Sequence, residues 1–288
     1  MYEKILYPTD FSESAHKTLE CIGEIPGIKE IVLLHVVDAT HPSKHGWTHG
    51  PHVEDAKIRI EEHKGHLENL GLVAKTKVDV ITEGSVSDTI LKTAEDENIS
   101  LIVINARGKS LIKDLLLGDV ATDTIRHAKT DVMVMRHKLV DTIEGEKLDK
   151  FCERIFSKTI CPTDFSEYAT DTLSFVRSMK EIGEVGLLHV VTKGDTQEEI
   201  EENIKDAKKK LENIGNDLKN EGFTVKVHVR VGHPAEEICS LADDEDASMI
   251  IMSSHGMGWF KELLLGDTVF DVVKNSDRPV LIKRYKGT

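Results

Sequence analysis

The chain repeats itself. PTDFSE stands at Pro8–Glu13 and again at Pro162–Glu167, and LLHVV stands at Leu33–Val37 and Leu187–Val191, both pairs 154 residues apart. LLLGD stands at Leu115–Asp119 and Leu263–Asp267, 148 residues apart, as are Gly84 and Gly232. Ordered blocks at a nearly constant offset mark a duplicated domain. The change of offset places six extra residues of the first copy between His35 and Gly84. Each copy is too long for a solenoid repeat of roughly 20–50 residues. The 288 residues therefore divide into two domains of ordinary size, 1–139 and 154–288. Segment 140–153, polar and charged, reads as their linker.

Within each copy, strand and helix signals alternate. In the second copy Thr159–Thr163 is a short apolar strand, and a helix follows from Ser166, a good N-cap. Val185–Val191 is a buried strand. Ile200, Ile204, Ala207, Leu211, Ile214 and Leu218 then line one face of a long amphipathic helix. Val225, Val227, Val229 and Val231 alternate with polar residues as a half-buried strand. Pro234–Ala242 opens with proline in its first turn. Ser248–Ser253, Asp267–Lys274 and Pro279–Lys283 read as strand, helix and strand. The first copy runs in the same order, with strands near Lys4–Pro8, Glu30–Val37, Thr76–Ile81, Leu101–Asn105 and Val132–Met135. Such alternation implies an α/β fold: two tandem, doubly wound, five-stranded parallel sheets of Rossmann-like order 3-2-1-4-5. In such sheets a ligand sits beyond the carboxyl ends of the strands, where the order reverses. Thr9–Ser12 and Asn105–Asp119 would meet there, as would Thr163–Ser166 and Ser253–Asp267.

Composition narrows the function. A formal charge of −14 repels a phosphate backbone, so nucleic acid is not an expected partner. No apolar run approaches the length of a membrane span. The start, MYEKILYPTD, has no charged leader followed by an apolar stretch. Cys21, Cys152, Cys161 and Cys239 form no CxxC pair and read as free thiols of a reducing cytoplasm.

The loop after the fourth strand reads NARGKSLIKDLLLGD in one copy and SSHGMGWFKELLLGD in the other. Gly108 and Gly256 follow the strand, and Gly118 and Gly266 precede a helix, an arrangement able to bring backbone N–H groups to a phosphate. A P-loop would need glycine where Val103 stands. No GxGxxG follows the first strand, which counts against a dinucleotide dehydrogenase. Nothing resembles a nucleophile elbow. Asp10 and Asp164 read as ligand-binding or capping residues rather than catalytic ones. His35 and His189, inside apolar strands, read as packed and hydrogen-bonded.

These residues together resemble the universal stress proteins. Pro8–Ser12 and Pro162–Ser166 match the P-x-D-x-S end of that family's first strand, and Leu33–Val36 and Leu187–Val190 match the end of its second. The resemblance implies a nucleotide signature of glycine, two residues, glycine, nine residues, glycine, then Ser or Thr. It also implies adenine contacts at Asp10 with Val36 and at Asp164 with Val190. Gly84 and Gly232 would lie near ribose and phosphates. The chain departs from that signature at Asn105 and Ser253, in place of the first glycine, and at Asp119 and Asp267, in place of Ser/Thr. A carboxylate facing β- and γ-phosphates adds repulsion of about 1 kcal/mol or more, unless a divalent metal bridges the two. Arg107 and Lys109 partly offset Asp119, whereas the second copy has His255. Alternatively, the pockets have lost nucleotide and each aspartate caps the next helix.

The first copy also has a loop with His41, His45, His49 and His52, candidate metal ligands to which His63 and His66 could add. Glycine and proline there argue against a helical His-x₃-His face, and the other reading is a polar loop. The resulting expectation is a cytoplasmic universal-stress-type protein that binds AMP or ATP in one or both domains and regulates rather than catalyses. The alternatives are an interaction module with degenerate pockets and a weak nucleotide hydrolase.

The apolar last strands, Val132–Met135 and Val280–Lys283, are expected at sheet edges, which invites pairing of the two copies as an intramolecular pseudo-dimer. Two chains could associate further. Separately expressed copies, mixed at high micromolar concentration, are expected to co-elute as a pair. Two monomers by light scattering would overturn the pairing.

Overall fold

A computed structural model of the chain describes residues 2–41, 50–106, 117–142, 145–150, 154–192, 194, 196–256 and 265–285. The chain divides into two compact units, Met1–Lys150 and Phe151–Thr288. The first contains β1 (Lys4–Pro8), α1 (Glu13–Ile22), β2 (Glu30–Asp38), α2 (Gly50–Asn69), β3 (Val73–Ile81), α3 (Val86–Asp96), β4 (Leu101–Asn105), α4 (Asp119–His127) and β5 (Asp131–Met135). An antiparallel strand pair follows, β6 (His137–Thr142) and β7 (Gly145–Lys150), with Thr142 opposite Gly145. It occupies much of the segment read from sequence as a polar linker.

The second unit contains β8 (Lys158–Pro162), α5 (Glu167–Ser178), β9 (Glu184–Val191), α6 (Gln197–Asn220), β10 (Thr224–Val231), α7 (Pro234–Asp244), β11 (Met249–Ser253), α8 (Asp267–Asn275) and β12 (Val280–Lys283). The strand orders are β3-β2-β1-β4-β5 and β10-β9-β8-β11-β12, all parallel within each unit. Both are doubly wound Rossmann-like sheets in the order expected from sequence. Central strands are covered on both faces, so Ile5, Leu6, Ile102, Ile160 and Ile250 are buried and their sequences are continuous apolar runs. The outer strands β3 and β10 are instead mostly half-buried or exposed, with only Ala74 and Val225 buried.

Helix starts follow local chemistry. Ser12, Ser85, Ser166 and Thr196 each accept a hydrogen bond from the backbone N–H three residues on, which satisfies a donor that the helix itself cannot. Registers locate the six extra residues. Glu30 pairs with Val73 and Glu184 with Thr224, so the offset has already fallen from 154 to 151 by β3. The caps of α3 and α7, Ser85 and His233, differ by 148. Three extra residues thus precede β3 and three separate β3 from α3. Ala56, Ile60 and Leu67, buried on α2, match Ala207, Leu211 and Leu218 on α6 at the same offset of 151.

At the amino ends of the strands the two units carry the same ion network. Lys4 lies 3.1 Å from Glu30 and 3.0 Å from Glu97, which Lys75 also contacts. Lys158 lies 3.5 Å from Glu184 and 3.1 Å from Glu245, and Lys226 lies 3.3 and 2.9 Å from the same two. Hydrogen bonds from Lys75 and Lys4 hold the Glu97 carboxyl down at about 2, and those from Lys226 and Lys158 do the same for Glu245. A lowered carboxyl stabilises the fold above its unfolded value near 4.5, and that stability is lost as pH falls through about 2. The groups are partly solvated, so each network contributes little. Glu97→Gln is expected to cost about 1 kcal/mol or less at pH 7, and only a small part of that at pH 2. Urea unfolding at the two pH values measures the difference.

Candidate functional site

Each PTDFSE segment is a turn in which nearly every side chain has a task. In the first unit the Thr9 N–H continues the sheet ladder to the Leu34 carbonyl. Thr9 Oγ1 accepts from the Phe11 N–H at 3.1 Å, and Asp10 Oδ1 accepts from the Ser12 N–H at 2.9 Å. Ser12 then caps α1 through the Ala15 N–H at 3.2 Å. In the second unit the corresponding bonds to Thr163, Asp164 and Ser166 measure 3.1, 3.0 and 3.3 Å. Between the two turn bonds, Phe11 and Phe165 take left-handed backbone angles, φ 59° and 65°. That costs about 1 kcal/mol or more for a residue with a Cβ.

Ring packing offsets this cost. Phe11 stacks on His35 at 4.3 Å and Phe165 on His189 at 4.5 Å. Each imidazole donates its Nδ1–H to the carbonyl of Thr9 or Thr163, both at 2.7 Å. These histidines are packed and hydrogen-bonded, as their apolar strands suggested. A helix cation also faces each phenylalanine. Arg59 lies 4.6 Å from the Phe11 ring and donates to the Phe11 carbonyl at 3.1 Å. Lys210 lies 5.1 Å from the Phe165 ring. Arg59 and Lys210 are equivalent at the helix offset of 151. The sequence reading missed both phenylalanines and both cations. The phenylalanines were inside the repeated block, but the cations are related only by an offset that no shared motif displays.

In the second unit a cavity of about 940 Å³ opens at the carboxyl ends of the strands, within the size range of small-molecule sites. Asp164, Val190, Ser253, Gly256, Gly266 and Asp267, all singled out from sequence, line it. His189, Asp206, Lys210 and His255 share it. Gly232 does not line it, although Pro234, two residues on, does. Gly232 instead has a Glu237 side chain against the place a Cβ would take. Gly266 is the N-cap of α8 and offers no side-chain acceptor, so the helix opens on the cavity with backbone N–H groups and a positive end. Asp267 is the first residue of α8, not its cap, and Asp119 stands likewise in α4 after Gly118. Capping by these aspartates, one of the readings above, is not what they do.

In the first unit Asp10 lies on the turn, Val36 late in β2, Asn105 at the end of β4, and Gly118 with Asp119 at the start of α4. Gly84 is exposed with φ 80° in the β3–α3 connection. Arg107, Gly108 and Lys109 lie outside the described residues. Asn105 donates to the Tyr7 hydroxyl at 3.1 Å and accepts from Thr18. Burial pushes the Tyr7 hydroxyl above its ordinary range, and it donates to the Ala15 carbonyl at 2.7 Å. The second unit has Cys161 and Ser253 at these places, so the asparagine serves a buried tyrosine that only the first copy has. Burial pushes the Cys161 thiol up to about 12, which leaves it protonated and inert.

Of the candidate metal ligands, His41 and His52 are exposed, and His45 and His49 lie outside the described residues. His63 and His66 pack beside His16 of α1. Among the described residues no group of three His, Cys, Asp or Glu side chains is disposed to hold a metal. Likewise, no helix there is long and apolar enough to cross a membrane.

Fold and site together define a tandem of doubly wound domains, with a ligand-sized cleft at the switch point of the second. The universal stress protein family model matches residues 1–136 and 156–284, and the chain belongs to that family. Universal stress protein Slr1230 of Synechocystis is 25% identical over 98% of this chain and 89% of its own. Universal stress protein MJ0577 of Methanocaldococcus jannaschii is 37% identical over 46% of this chain and 98% of its own. The crystal structure of a universal stress protein from Archaeoglobus fulgidus superposes with a TM-score of 0.73 at 26% identity, covering 98% of this chain and 96% of that one.

A Cβ on Gly256 would stand 2.6 Å from Asp164 Oδ2, whereas one on Gly266 would meet nothing closer than 3.5 Å. Gly256→Ala is expected to push Asp164 off the Ser166 N–H and to cost about 1 kcal/mol. Gly266→Ala makes a poorer N-cap but keeps an allowed backbone conformation and restricts the unfolded chain, so it is expected to stay within about 0.5 kcal/mol of the parent. Thermal unfolding of the two variants compares them.

Proposed function

We propose that the protein binds an adenine nucleotide at the carboxyl edge of its sheets and acts by regulation rather than catalysis. The observation that carries this reading is the second unit's cavity, bounded on one side by Asp164 and Val190 and on the other by the uncapped start of α8. A carboxylate beside a strand end can accept from an exocyclic amine. Val190 supplies an apolar wall, and backbone N–H groups at α8 suit a phosphate. Equivalent residues in the first domain, Asp10, Val36, Gly118 and Asp119, carry the reading to that copy. The intramolecular pairing of the two domains belongs to the same proposal.

Asp267 opposes a long phosphate chain. Asp267 lines the cavity and follows directly on Gly266, so β- and γ-phosphates approaching α8 meet a residue of like charge. AMP or adenosine is therefore the preferred ligand in metal-free buffer, and a bridging divalent ion favours ATP. Nucleotide released from the purified protein by denaturation and separated by chromatography identifies the natural occupant.

Calorimetry without divalent metal is expected to give AMP an affinity at least equal to that of ATP. Asp119→Ser with Asp267→Ser is expected to strengthen ATP binding about tenfold and leave AMP nearly unchanged. A hundredfold preference of the parent for metal-free ATP would overturn the assignment of Asp267. Binding of no adenine compound at all would favour degenerate pockets.

A further inference from the structure

The first domain has a histidine cluster that the second lacks. His63 of α2 lies 6.0 Å, ring centre to ring centre, from His16 of α1, and His66 of α2 lies 5.9 Å from His16. His63 also meets the edge of Phe11 at 5.3 Å. Its Nδ1 is enclosed and has no hydrogen-bond partner among the described residues. At the offsets fixed by the sheet and helix registers, the second domain places Thr170, Ile214 and Asp217 at these positions.

We propose that His63, held against His16 and His66, is an acid-operated latch: protonating it parts α2 from α1 and from Phe11, and loosens the turn that carries Asp10, while α5 and α6 of the second domain, which have no such cluster, are unaffected.

The charges around His63 are of one sign. From α1 it faces His16, from α2 it faces Arg59 and His66, and the turn contributes the uncharged Phe11. No carboxylate is among the groups acting on it. Of the acids within about a turn of the cluster, Glu20 pairs with Lys17 on α1 and Glu61 and Glu68 with Lys64 on α2, and Glu13 and Glu62 are exposed to solvent. A proton on His63 is thus enclosed, meets no anion, and adds to the Arg59 guanidinium and to any charge on His16 and His66. Burial first, then these neighbours, hold His63 down at about 4. Separating the helices restores solvent and an ordinary value near 6.5, so acid favours the open form. The sign follows: the open form binds more protons between about 4 and 6.5, and closure weakens as pH falls through that window.

The latch reaches the turn through contacts already described. Arg59 holds the Phe11 carbonyl, Phe11 stacks on His35, and His35 holds the Thr9 carbonyl. Moving α2 removes the first of these restraints from the segment on which Asp10 sits. Any consequence for ligand rests on the nucleotide reading above, but the opening itself does not.

Hydrogen exchange of the full chain, corrected for intrinsic rates, tests the latch. The opening constant of α1 and α2 is expected to rise about thirtyfold from pH 8 to pH 5, the ratio given by values near 4 and 6.5 for one proton. Helices α5 and α6 are expected to change less than threefold. His16→Thr with His63→Ile, the residues of the second copy, is expected to flatten the response of α1 and α2. Should that variant fail to fold, the contrast between the two domains of the parent decides, together with a low-pH midpoint for the His63 ring by NMR. Equal responses in both domains, or a flat response in the parent, would sink the latch. Opening as expected in a protein that binds no adenine compound would overturn the nucleotide reading and leave the latch standing.

Discussion

The carboxyl edge of each sheet depends on one short turn. A parallel strand must hand its chain to a helix within a few residues, at the place where the sheet order reverses. Here Thr9 and Asp10, and again Thr163 and Asp164, bond the N–H groups of the next residues and force a left-handed phenylalanine between them. The ring is thereby turned onto the second strand's histidine, and the serine arrives as a helix cap. The first strand, the second strand and the first helix are fixed relative to one another by six residues. Each aspartate is left with one oxygen already oriented, and Asp164 lines the second unit's cavity.

Duplication makes the two copies controls for each other. What both retain is the turn, the histidine bonded to the threonine carbonyl, the facing helix cation and the lysine–glutamate network at the far end of the strands. What differs is local and physically coupled. The first copy buries Tyr7 and must answer its hydroxyl, which it does with Asn105. The second has Cys161 there, and Ser253 is free of that demand and bonds the His255 carbonyl instead. Arg59 can hold a ring and a carbonyl together, because a guanidinium presents several donors in a plane. Lys210 at the same place faces the ring and the cavity. The first copy also packs imidazoles where the second has Thr170 and Ile214. The domains share an architecture while differing in how they answer charge.

Periodicity made the strands and helices legible because each follows from short-range pattern. Apolar runs bounded by turn signals gave the buried strands, and spacings of three and four gave α6. Asp164, Val190, Gly256 and Gly266 could be found because they lie in or beside repeated blocks whose places in a doubly wound sheet are known. Gly232 was aligned correctly with Gly84 yet does not line the second unit's cavity, since its φ of 154° and the adjacent Glu237 serve the turn into α7. The aspartates after Gly118 and Gly266 could equally have been caps by composition. Only the backbone angles of the preceding glycines assign that position to the glycine.

The sequence by itself determined the tandem, the strand and helix order and the edge of the sheet where the second unit's cavity opens, because repeats, apolar period and turn residues act over a few neighbouring positions. It could not determine which side chains meet across the fold. Arg59 and Phe11 are 48 residues apart, and Asn105 and Tyr7 are 98 apart. His63 meets His16 only after α2 has packed beside α1. Such contacts depend on helix rotation and strand register summed over whole elements, and on an insertion split between two loops. Tertiary packing decided them, and with them the charges around each PTDFSE turn.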